Sequence, residues 1–187
     1  MKHNRKKYRR KPFIMYSLLE GNRIMDTKKN SVNILEKRQL EAVIYYQYGV
    51  ELSLDVERNQ IEVTRSRKTG RIKQIFLNKK YFASLRAKDG FIIPSIYGWK
   101  YIASASASTL PCIEIKEDIA QFIADGKTLF SKHVVRAHAD ILPGDEVCIK
   151  TVKGEIIASG KAILPGTEMG IIRIGKAVKT RKTAKNS

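Results

Sequence analysis

Residues 126–147 read GKTLFSKHVVRAHADILPGDEV, and the reading of this stretch decides the fold. Upstream of it, Asp118 is placed to cap a helix over 118–125, whose apolar residues Ile119, Phe122 and Ile123 recur at i, i+3 and i+4. Glu117 and Asp118 stand where a helix dipole favours anions, and Gly126 is the residue type that ends a helix in a left-handed conformation. Next, TLFSKHVV carries Thr, Phe and two Val and is expected to form one strand. Pro143-Gly144-Asp145 makes a turn, and EVCIKTV begins a second strand. Pattern alone is met equally well by a surface-exposed helix–strand corner of an ordinary β-rich domain.

The segments on either side extend the pattern. Downstream come EIIASGKAIL, MGIIRI and KAVKTR, each read as a strand, and upstream comes PCIEI. Five or six short strands with one helix suit a small closed or nearly closed barrel. Ahead of that, ASASAST at 103–109 is small and uncharged and reads as the fraying end of a helix and a linker. The N-terminal half reads as helix, antiparallel meander, helix. Asn33 and Glu36 have capping-box spacing, Leu40, Val43, Ile44 and Tyr48 make one apolar stripe, and Gly49 ends the run. QIEVTRS, RIKQIFL and YFASLRA alternate with period two around turns at RKTG and NKK. Pro94 opens a second helix with Ile96, Trp99 and Ile102 inward, which Gly98 weakens. Arg65, Arg67, Lys68, Arg71 and Lys73 crowd the first meander turn, as a solvated tip or an RNA contact.

GKTLFSKHVVRAHADILPGDEVCIKTVKGEIIASGKAIL resembles a PUA domain, a small RNA-binding pseudo-barrel of tRNA- and rRNA-modifying enzymes. Counting TGRIKQIF, LRAKDGFIIPS and the closing GKAVKTR, residues 40–182 resemble the C-terminal region of archaeal tRNA-guanine transglycosylase. The expected fold class is therefore α+β: a basic arm over 1–12, a small α+β domain over 13–106, a PUA-type β pseudo-barrel over 107–182 and a basic tail over 183–187. The resemblance implies that the groove between the helix and the following strand takes the acceptor stem and 3′ end of tRNA. Carried onto this sequence, the RNA-binding residues are Gly126, Lys127, Phe130, Lys132, His133, Arg136, Arg173 and Lys176. It also implies a separate catalytic transglycosylase subunit as partner. A general PUA-type factor in ribosome biogenesis or translation is the alternative.

Charge supports a polyanion partner. The chain has 187 residues, 36 Lys and Arg against 18 Asp and Glu, and a net charge of +18. Seven of the basic residues lie within 1–11 and six within 173–187, and neither stretch contains an acid. No apolar run approaches 18 residues and no signal-peptide pattern is present, so no membrane partner is expected and the expected location is the cytoplasm. Cys112 and Cys148 lie far apart without a CxxC partner and read as small buried hydrophobes, not as a disulfide or a zinc site. His133 and His138 fall on opposite faces of a strand, so no metal is assigned. No cofactor motif and no catalytic constellation is found. Asp140, Asp145 and Glu146 are explained by their turn, and Pro111-Cys112 lacks the partners a catalytic cysteine needs. The chain is expected not to be an enzyme.

Overall fold

The computed structural model describes residues 29–54, 60–105 and 110–184. The basic arm over 1–12 and the end of the tail therefore lie outside the described residues. Helix α1 spans Ile34–Tyr48. Its capping box is formed: the Glu36 N–H donates to Asn33 Oδ1 at 2.9 Å and the Asn33 N–H donates to Glu36 Oε2 at 3.1 Å. Gly49, at φ 67°, closes the helix. Leu40, Ile44 and Tyr48 are buried, while Tyr45 and Tyr46 stand in solvent.

Strands β1 (Asn30–Ser31), β2 (Ile61–Arg65), β3 (Ile72–Leu77), β4 (Lys80–Leu85) and β5 (Ile92–Pro94) make one antiparallel sheet in sequential order. The expected meander is its centre, and β1 and β5 are two edges that the pattern did not show. Pro94 ends β5 instead of opening a helix. The helix cap is Ser95, whose hydroxyl accepts the Gly98 N–H at 3.0 Å and donates to the Tyr81 carbonyl at 2.6 Å.

Helix α2 follows over Ile96–Ala105, with Ile96, Trp99 and Ile102 buried. Gly98 has a packing reason: a Cβ there would collide with the Phe82 carbonyl oxygen on β4. Gly98→Ala is therefore expected to lower stability by about 1–3 kcal/mol despite better helix propensity, seen as a lower denaturation midpoint. An unchanged or raised midpoint would show that α2 is free to shift on the sheet.

The second half is a six-stranded sheet in the order β7-β11-β10-β9-β6-β8. Its strands are β6 (Cys112–Ile115), β7 (Leu129–Phe130), β8 (Val134–Ala137), β9 (Glu146–Thr151), β10 (Ile156–Ala162) and β11 (Lys176–Thr183). TLFSKHVV is not one strand. It breaks at a 3₁₀ turn over Ser131–His133, so that β7 pairs with β11 and β8 pairs with β6. One continuous segment thus crosses from one edge of the sheet to the other and closes the pseudo-barrel.

The expected helix over 118–125 is a 3₁₀ turn, Glu117–Ile119, running into α3, Ala120–Ala124, and Asp118 lies inside the turn instead of capping it. Ile119 and Ile123 are buried, but Phe122 is 62% exposed. MGIIRI is not a strand either: a single bridge joins Met169 to Ile172.

Cys112 and Cys148 face each other across the parallel β6·β9 pair, with Cα atoms 4.6 Å apart, and are joined in a disulfide. Parallel register brings together residues 36 apart in sequence, which spacing alone does not reveal. The two halves share packing. The core around Ile44, Phe82 and Trp99 also takes in Cys148 and Ile156 of the second sheet. Across the same seam Glu146 on β9 meets Arg86 at 3.5 Å and Lys182 donates to the Tyr81 hydroxyl at 2.8 Å, while Arg181 of the neighbouring β11 lies 3.0 Å from the same Glu146 carboxylate.

Candidate nucleic-acid interface

Gly126 closes α3 with φ +84°, its N–H donating to the Ile123 carbonyl at 2.9 Å. The carbonyl of Lys127 accepts the Thr180 hydroxyl at 2.8 Å, which ties the start of this segment to β11. Phe130, 42% exposed, stands opposite Lys176 in the β7·β11 pair. The Ser131 N–H then donates to Gly175 O at 3.1 Å, while its buried hydroxyl accepts the Gly170 N–H at 3.0 Å. These two bonds draw the 170–175 loop, with Arg173, against the turn that carries Lys132 and His133. Lys127, Phe130, Lys132, His133, Arg173 and Lys176 therefore gather along one edge. Among the described residues no carboxylate pairs with its Lys and Arg side chains.

Arg136 is placed elsewhere. It lies on β8, which ends the other side of the sheet order, and its guanidinium forks onto Glu114 at 2.8 and 3.2 Å. Lys150 reaches the same carboxylate at 3.1 Å. Hydrogen bonding from Arg136, with Lys150 adding to it, holds the Glu114 carboxyl below its usual range.

The sequence reading did not single out Ser131, the buried anchor of the loop, nor Ile171 and Ile174, which stand 77% and 87% exposed on it. Gly170 and Gly175, with φ +84° and +111°, bracket that loop, and their spacing was the available signal against a strand. Exposed apolar side chains beside unpaired cations suit a ligand that offers both phosphates and unstacked bases.

Glu146 behaves oppositely to Glu114. Burial pushes its carboxyl upward, and Arg181 and Arg86 only partly offset this. A raised folded-state value means that the native state holds a proton that the unfolded chain has already lost, so stability falls as pH rises through that window. Glu146→Gln is expected to remove this slope when denaturation midpoints are compared from about pH 4 to pH 7. The Glu114 contribution, lost instead as pH falls, is common to both proteins and cancels. Equal slopes would exclude Glu146 as the titrating group.

Comparison with known proteins fits this geometry. Residues 111–183 match the PUA domain model, and residues 38–108 match the patch-forming domain C2 of tRNA-guanine transglycosylase. The chain carries a PUA domain. Its sequence relatives include the tRNA-guanine(15) transglycosylases of Methanobrevibacter smithii, 33% identical over 79% of this chain and 22% of the relative, and of Pyrococcus abyssi, 33% identical over 83% and 25%. The chain thus spans about a quarter of the length of these relatives.

Among solved structures, a conserved PUA domain protein from Thermoplasma acidophilum superposes with a TM-score of 0.66 at 21% identity, covering 84% of this chain and 94% of that one. A hypothetical protein from Pyrococcus horikoshii gives 0.68 at 21% identity, covering 86% and 96%. At that identity these two support the fold alone. The sequence match is to the C2 and PUA region, not to the catalytic part of the transglycosylases, and implies RNA binding. No helix among the described residues is long and apolar enough to cross a membrane.

Proposed function

We infer that this chain is a tRNA-binding, non-catalytic subunit or accessory factor of an archaeosine-type tRNA-guanine transglycosylase. The observation that carries the reading is the joint match: C2 and PUA domains stand in tandem, as they do in the transglycosylase relatives, and the PUA half presents an edge of cations that pair with no carboxylate among the described residues. In this reading Lys127, Lys132, Arg173 and Lys176 hold backbone phosphates of the acceptor stem, and the exposed side chains around Phe130 meet its unpaired 3′ end. The mechanism is positional: the acceptor arm is anchored while a separate catalytic subunit acts on its target base. The protein holds the RNA by shape and backbone, and needs no cofactor for that.

The test compares binding of intact tRNA with tRNA lacking its 3′ CCA at several salt concentrations, with and without residues 1–11. Tighter binding of the intact tRNA that survives removal of the arm is expected. Equal binding that collapses without the arm would leave a non-specific polyanion binder. The subunit role is tested by adding the chain to a transglycosylase catalytic region that lacks its own C2 and PUA domains. Base exchange is expected to rise, and no change with intact RNA binding would favour a general PUA-type factor in ribosome biogenesis or translation.

A further inference from the structure

The Cys112–Cys148 bond lies where the two halves meet. Leu110 is buried in the core of the first half, and Cys112 and Cys148 pack on that same cluster. Ile113, the next residue on β6, belongs to the core of the second half. The chain thus passes from one core to the other at the bonded cysteine. Two backbone bonds flank it: the Cys148 N–H donates to the Pro111 carbonyl at 3.1 Å, and the His138 N–H donates to the Cys112 carbonyl at 3.2 Å.

The two sulfurs are not equivalent. Cys148 is wholly buried, whereas Cys112 is half-buried. Cys112 also lines a groove of about 460 Å³, together with Leu110, Glu114, Arg136, His138 and Lys150. Arg136 at 2.8 Å and Lys150 at 3.1 Å share the Glu114 carboxylate, so these three side chains carry a net positive charge beside Cys112. In thiol–disulfide exchange a thiolate must reach one of the two sulfurs, and access decides which. Cys112 is the one that the groove reaches, and the charge there favours an anionic attacker.

We propose that Cys112 is a thiol-exchange site, at which a small anionic thiol opens the bond to Cys148 and loosens the joint between the two halves. The thiolate sulfur bonds to Cys112 Sγ, the Cys112–Cys148 bond breaks, and its electron pair leaves on Cys148 Sγ, which takes up a proton from solvent. A second thiolate attacks the added sulfur and expels Cys112 as a thiolate, which is protonated in turn. The protein gains two electrons and two protons, and the two thiols leave as one disulfide. The site is independent of the RNA-binding reading.

The test exposes the full chain, without denaturant, to 2-mercaptoethanesulfonate or to cysteamine at equal thiolate concentration. These thiols have the same length and opposite charge. The reaction is quenched, free thiols are alkylated, and the adduct is located by peptide mass spectrometry. Early adduct is expected on Cys112, with Cys148 alkylated. The sulfonate is expected to react about fivefold faster than the amine at low salt, and this preference should fade as salt screens the groove. It should also be lost in Arg136→Gln, where Lys150 remains to hold Glu114. Adduct on Cys148, or reaction that proceeds only as denaturant unfolds the chain, would overturn the assignment to Cys112. Equal rates for the two thiols at low salt would overturn the anionic class of attacker.

Hydrogen exchange tests the joint. After full reduction, the Cys148 and His138 amides are expected to quicken at least about tenfold more than those of β3 and β4. A uniform rise across both sheets would make the bond a staple of the whole fold and overturn its place as a joint.

Discussion

Trp99→Ala is expected to cost about 3–5 kcal/mol, enough to bring a domain of ordinary stability close to unfolding at room temperature. Trp99 is wholly buried and meets the Tyr48 ring edge-on at 5.0 Å between centroids. It sits on α2, which lies between the first sheet and β10 of the second. The cavity left by the indole would therefore open at the seam where both halves pack, and neither can collapse into it alone. The indole N–H has no protein partner, so truncation sacrifices packing and no hydrogen bond. Trp99→Phe, which keeps a ring there, is expected to cost markedly less. Chemical denaturation followed by circular dichroism measures both. A Trp99→Ala loss below about 1 kcal/mol would show that the seam contributes little to the fold.

The disulfide carries the second large effect. In the chain-entropy account, a cross-link between residues 36 apart stabilises by about 3–4 kcal/mol. The unreduced protein is therefore expected to have a higher denaturation midpoint than the same protein in reductant. Its unfolded form should show no reactive thiol until reductant is added. Cys148 is fully buried, so reduction tests the cross-link more cleanly than a serine, which would also leave a buried hydroxyl unpaired. Two titratable thiols in the unreduced, unfolded protein would refute the bond.

What the sequence showed was mostly local. The Asn33–Glu36 box and the Gly49 stop act within a few residues, so they could be read directly, as could the alternation of β2, β3 and β4. The features not read depend on distant partners. Ser-Lys-His continues a strand pattern, and it turns because Ser131 is buried under Gly170 and Gly175, some forty residues on. Ile92 and Ile93 form a strand because β4 offers an edge, and Pro94 next to them drew attention to the helix instead. Cys112 and Cys148 meet only because β6 and β9 run parallel in one register.

The candidate interface divides in the same way. The resemblance directed attention to one contiguous segment. Only folding shows that Arg173 and Lys176 come back to it, and that Arg136, though within it, is turned to Glu114. The hairpin cations were visible from the start, but that no carboxylate among the described residues meets Arg67, Lys68 or Arg71 was not.

The crossing of β7 and β8 between opposite edges has a bearing on synthesis. β7 emerges from the ribosome well before β11, the strand with which it pairs. Until then the nascent chain holds an open barrel with an unsatisfied edge, and the pairing that closes it is the most non-local in that sheet. Such contacts form slowly and leave strand edges free to associate with other chains. A stop codon or a stalled ribosome before Lys176 would accordingly release an unclosed barrel prone to aggregation, not a shorter working module.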